Sequence, residues 1–230
     1  MHPRGYSGQS GIVLYSPHFK FLFVHIPKTG GTSLRAALKS LLYKDPWYYL
    51  MWYPQRLSHW TGHRTVTKFP RHSKIIAAQE MLPPEIFDNL FKFSVVRNPW
   101  DMQVSSFHHL HKEHPEAVVG LSEFKDFVRY KMDPARPSNM HLDVSGTAQM
   151  DFLCDLHGNV LIDDFVRFEH LQDDYVRVAK KIGLKHPPDL PHKRKGKRKA
   201  DYREYYDDES RAIVADRYKA DIEHFKYEFE

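Results

Sequence analysis

Between Phe21 and Leu42 the chain passes from "FLFVHI" through "PKTGGTS" into "LRAALKSLL". An aromatic and β-branched run stops at a proline, two glycines follow, and apolar residues then recur at helical spacing. This predicts a buried strand over residues 19–25 and a helix from Thr32 to about Tyr43, with Leu34, Leu38 and Leu41 or Leu42 on its inner face. A strand that feeds a helix through a glycine-containing turn is the opening of an α/β plan, in which strands alternating with helices build a mostly parallel sheet.

The rest of the sequence agrees. "FKFSVVR" reads as a second buried strand over residues 91–97, broken by "NPWD" and followed by a helix from about Asp101 to Lys112. A third strand is expected over residues 161–168, entered through a "HGN" turn, with a helix over residues 171–182 that stops at Gly183. Val214, Tyr218, Ile222, Phe225 and Phe229 fall at helical spacing and predict a core-facing stripe. The expectation is one P-loop-type domain, a central mostly parallel sheet flanked by helices. Residues 1–18 would form an N-terminal arm, 43–71 an irregular substrate-side insertion, and 186–200 a Pro-rich and basic loop.

Charge is informative through its location. Six basic residues crowd into "KRKGKRK" at 193–199. Set aside from the 34 lysines and arginines, they leave a remainder that balances the 29 aspartates and glutamates to within one charge. A near-neutral surface with one basic loop suits a local anionic partner and argues against a nucleic-acid track. No apolar run reaches the length of a membrane span. The single cysteine, Cys154, excludes an internal disulfide and favours a reducing, cytoplasmic setting, although a Golgi-lumenal or membrane-anchored origin with the anchor removed is also compatible.

The first loop has the makings of an anion site. Backbone N–H groups at the turn and at the helix start lack internal partners, and the helix dipole adds partial positive charge. Gly30 and Gly31 allow close approach, Thr29, Thr32 and Ser33 bring hydroxyls, and Lys28 brings a full charge. The nucleotide-triphosphatase pattern ends in G-K-[ST] and uses magnesium. Here the lysine precedes the glycines, so the loop reads as a cradle for a terminal 5′-phosphate without a metal. In the second loop, "VVRNPWDMQVSSF", Arg97 stands at a strand end and Ser105 eight positions on, where a returning helix lets one phosphate meet both. Two anion sites at parallel strand ends suggest a nucleotide phosphorylated at two places.

"HIPKTGGTS" and "VVRNPWDMQVSSF" together resemble the 5′-phosphosulfate and 3′-phosphate motifs of sulfotransferases that use 3′-phosphoadenosine 5′-phosphosulfate (PAPS), in particular the carbohydrate, heparan-type family 2-like group. The likeness continues through "FVRFEHLQDDY" and the ending from "YREYYDDES" onward. It implies metal-independent transfer of a sulfuryl group to an acceptor hydroxyl or amine, with a carbohydrate acceptor favoured. Lys28 would neutralise the leaving phosphate, the loop from Thr29 to Ser33 would hold the 5′-phosphate, and Arg97 with Ser105 the 3′-phosphate. Arg198 and Lys199 are candidates for a third clamp. The resemblance points to His72 as general base, with His63 and Glu80 as alternatives among the 16 histidines and the acidic residues.

Other features have plainer readings. His108 and His111 are expected on a solvated helix rather than on a metal, Cys154 as a small buried residue, and Trp100 and Phe107 as packing residues. Trp47, Trp52 and Trp60 either line a sugar-binding cleft or pack in the core. Three rival functions fit the same residues. One is a P-loop small-molecule kinase, which needs magnesium and ATP. Another is a non-enzymatic binder of acidic polymers through 193–199. A nucleotide-binding relative without turnover is a third.

Overall fold

A computed structural model describes residues 14–42, 73–187, 190 and 201–230. His63, His72, Arg198, Lys199, the three insertion tryptophans and the basic run lie outside the described residues.

The sheet has four strands in the order β1 (Leu14–Ser16), β2 (Phe21–Val24), β3 (Phe91–Val96) and β4 (Asp164–Arg167). β1 runs antiparallel to β2, and β2, β3 and β4 are parallel to one another. All four residues of β2 are buried, as expected of a parallel strand covered on both faces. Alternation sends Phe21 and Phe23 to one face and Leu22 and Val24 to the other.

Helix α1 (Gly31–Leu42) packs Leu34, Leu38, Leu41 and Leu42 against the first face, beside α8 (Leu171–Lys181) with Tyr175 and Val178. The second face is covered by the short helices α2 (Ile75–Met81), α3 (Pro84–Asp88) and α7 (Met150–Leu153) and by Phe225. A third cluster joins α4 (Pro99–Glu113), α5 (Phe124–Met132), α6 (Met140–Gly146) and α9 (Asp208–Arg217), around Phe127, Val214 and Tyr218. The result is the α/β domain with a mostly parallel sheet that the pattern predicted. No described helix is long and apolar enough to cross a membrane.

Several boundaries differ from the expectation for identifiable reasons. The last part of the N-terminal arm pairs with the sheet as β1. "NPWD" starts a helix as well as ending a strand: the Asn98 side chain accepts from the Trp100 N–H at 3.0 Å, and Pro99 takes the first helical position, where no N–H is needed. The C-terminal stripe divides into α9 and α10 (Lys219–Phe225) at Tyr218, so Val214 and Tyr218 enter the third cluster while Phe225 enters the second. Gly183 does end α8, at φ +79°, where its own N–H and that of Leu184 cap the last carbonyls. The turn before β4 is held by the Asp155 carboxylate, which accepts from His157 N and Asn159 N at 2.8 Å each.

Candidate functional site

Parallel strands deliver their following loops to one end of the sheet, which gathers the residues after β2, β3 and β4. The first loop leaves β2 through Ile26 and Pro27 and turns back at Lys28, whose φ of +66° is left-handed, and at Gly30, at +82°. A Cβ on Gly30 would come within 2.3 Å of the Phe168 ring, and one on Gly31 within 2.8 Å of His25 Nδ1. Both glycines are therefore required by contact beneath the loop, and Gly30 by its backbone as well. Thr32 is exposed at the first turn of α1, and no acidic residue stands in that turn to neutralise the N–H groups and the dipole. A twelve-residue helix with an open, uncompensated N-terminus beside a lysine suits an anion.

Thr29 serves differently from the expectation. It is fully buried, and its hydroxyl donates inward to the Ile26 carbonyl at 3.0 Å, closing the turn rather than facing a ligand.

The second loop is built around Arg97, only 4% exposed. Its Nε and Nη2 meet Asp101 Oδ2 at 2.7 and 2.6 Å, its Nη1 donates to the Lys28 carbonyl at 2.9 Å, and its guanidinium lies 4.0 Å from the Phe168 ring centre. The planar fork thus engages a carboxylate, a carbonyl and an aromatic face together, a combination open to arginine and not to lysine. Asp101 lies one turn into α4, and Ser105, half-buried, one turn beyond it on the same face. The residue of this face that meets the guanidinium is Asp101, which the spacing argument did not single out.

Sequence reasoning did not foresee the supports of these loops. Phe168 packs under Gly30 and against Arg97, so the residue just past β4 holds both loops. Glu169 accepts from the Asn98 N–H at 2.7 Å and from the Tyr227 hydroxyl at 3.2 Å. Gln149 bonds both backbone groups of Arg97, at 2.9 and 2.8 Å, and its own N–H is held by Asp221 at 2.8 Å. Burial pushes the Asp221 carboxyl up to about 6, against the pull of the backbone N–H groups of Met150 and Gln149. The C-terminal segment locks the start of α4: Trp100 Nε1 donates to the Arg211 carbonyl and Tyr206 donates to the Trp100 carbonyl. The one available signal was "RFEH", whose aromatic looks like an ordinary core residue.

A second cation stands close by. Lys131 is buried and donates to Gln103 Oε1, Ser106 Oγ and the Ser145 carbonyl at 2.8–3.0 Å. Burial first, and then the positive charges of Lys28 and Arg136, hold its ammonium well below the ordinary lysine range.

Glu80 is exposed on α2. His111 has ring nitrogens 2.9 Å from the carbonyls of Phe107 and Leu121, and His108 Nε2 is 2.8 Å from the Tyr205 hydroxyl, so both serve packing contacts. Trp100 and Phe107 are buried. Cys154 is half-buried rather than buried, and partial burial followed by nearby Asp155, Asp151 and Asp221 raises its thiol pKa. A cleft of about 450 Å³ beyond Asn98 is lined by charges of both signs, the carboxylates of Asp101, Glu169, Glu228 and Glu230 together with Arg167 and Lys226.

A family model described as "Sulfotransferase family" matches residues 13–228, nearly the whole chain. No curated protein and no solved structure gives a match.

Proposed function

Because the chain belongs to the sulfotransferase family, whose members transfer sulfuryl groups, we propose that its donor is PAPS and its acceptor a carbohydrate hydroxyl. The observation that supports this best is the Arg97–Lys28 contact, which ties a lysine-bearing glycine turn to a second basic loop at the same sheet end. Two joined cationic loops suit a nucleotide carrying phosphate at both 5′ and 3′ positions, and distinguish it from ATP.

In this reading the N–H groups from Gly30 to Ser33 hold the 5′-phosphate against the open end of α1. Arg97 would offer the 3′-phosphate only the Nη hydrogens left over from Asp101 and the Lys28 carbonyl, and Ser105 would add a hydroxyl from α4. Lys28 places its ammonium at the oxygen that bridges phosphorus and sulfur. As that sulfur–oxygen bond breaks and a bond to the acceptor oxygen forms, negative charge grows on the phosphate, and Lys28 offsets it in the role a metal plays in kinases. A base takes the acceptor proton. His72, His63 and Glu80 are the candidates; the resemblance favours His72.

The test is transfer of radiolabelled sulfate from PAPS to heparan-type and other polysaccharides with EDTA present. Transfer to polysaccharide without metal is the expected result. Magnesium-dependent phosphoryl transfer from ATP, with no transfer from PAPS, would overturn the proposal.

A further inference from the structure

The C-terminal end of α4 carries a cluster unrelated to the nucleotide loops. His114 follows the helix, Glu116 sits in the 3₁₀ turn Pro115–Val118, and His141 lies in the first turn of α6. One ligand atom from each falls within 4.8 Å of the other two. His114 Nδ1 is 3.4 Å from Glu116 Oε1, and the rings of His114 and His141 stack with centroids 3.7 Å apart at 20°. The His109 ring stands edge-on at 5.9 Å from His114.

We propose that His114, Glu116 and His141 bind a divalent transition-metal ion of the zinc type, clipping the end of α4 to the start of α6. Ligand atoms about 2.0–2.1 Å from a tetrahedral zinc lie roughly 3.3–3.5 Å apart, the separation already present between His114 and Glu116. Two imidazoles and one carboxylate favour zinc, copper or nickel over magnesium or calcium, which prefer oxygen alone.

Each ligand sits on an anchored backbone. Pro115 fixes the step from His114 to Glu116, and Ala117 N donates back to the His114 carbonyl at 3.0 Å. The Asn139 side chain accepts from His141 N at 3.0 Å, and Asp143, one turn on, is held by Arg136 and Ser138. Coordination leaves these backbones in place and turns the His114 and His141 rings out of their stack, because an imidazole lone pair lies in the ring plane and near-parallel rings cannot both point at one ion. At 1.5 Å per residue, α4 places this cluster roughly 20 Å from Arg97, so the ion is structural and plays no part in transfer.

The experiment is calorimetric titration of the tag-free full chain with zinc chloride, alongside Glu116→Gln and His141→Ala. Glu116 is exposed, so its substitution leaves the fold intact. Expected is one tight equivalent, weakened at least about tenfold in each variant, with no comparable magnesium binding. An anomalous peak at the zinc edge between the three side chains would corroborate it. Affinity unchanged in Glu116→Gln, or a peak elsewhere on the chain, overturns the proposal.

Discussion

Arg97 Nη1 donates to the backbone carbonyl of Lys28 at 2.9 Å, across 69 positions of sequence. In the proposed function the bond would join the lysine at the donor's reactive end to the arginine at its 3′-phosphate. Since it uses the Lys28 main chain, the Lys28 side chain can be altered while the junction stays intact.

Lys28→Ala should therefore separate chemistry from architecture. Alanine tolerates φ +66° no worse than lysine, so the melting temperature should move little. Turnover with PAPS should fall by about 10²–10³-fold, the usual cost of removing a group that stabilises developing charge. Steady-state kinetics beside a thermal melt checks this, and near-normal turnover would remove Lys28 from the leaving-group role.

Asp101→Ala should behave in the opposite way. It strips the buried Arg97 guanidinium of its carboxylate, and leaving a buried charge unpaired costs about 3–5 kcal/mol. Urea denaturation reads the loss. A change below about 1 kcal/mol would mean that solvent or another acceptor replaces Asp101 at little cost.

Gly30→Ala adds a left-handed penalty of about 1–2 kcal/mol to a collision with Phe168. Phe168→Ala relieves the collision and leaves the backbone penalty. In a double-mutant cycle the pair should lose about 1–2 kcal/mol less than the sum of the single changes. Strict additivity would show that Phe168 does not support the turn.

Asp221 gives a pH signature. Its folded value of about 6 lies above its ordinary 3.8, so the folded chain holds this proton more tightly than the unfolded one. The resulting stabilisation is complete below about pH 4 and is lost as pH rises through about 6, on the order of 3 kcal/mol. Asp221→Asn has no proton to lose. The stability of the wild type minus that of this variant should fall between pH 4 and 6; a flat or rising difference would contradict the assignment.

The strands, the two loops and α1 were legible because burial on both faces of a parallel strand leaves unbroken apolar runs, and Gly-Gly before a helical period has few other structural uses. The supports were not, because their roles depend on pairings distant in sequence. Nothing local in "RFEH" tells that Phe168 meets Gly30, or that Glu169 reaches Asn98. Likewise the inward turn of the Thr29 hydroxyl follows from complete burial of that side chain, which a loop motif does not disclose. The break at Tyr218 escaped the helical pattern because the stripe keeps its period while passing from one cluster to another.

Whether the two joined cationic loops hold a doubly phosphorylated nucleotide is decided by calorimetry in EDTA with adenosine 3′,5′-bisphosphate and AMP. The bisphosphate should bind at least about tenfold more tightly, since charge-assisted contacts to the 3′-phosphate are each worth about 1.5–3 kcal/mol. Equal affinities for the two nucleotides would mean that Arg97 and Ser105 hold no 3′-phosphate.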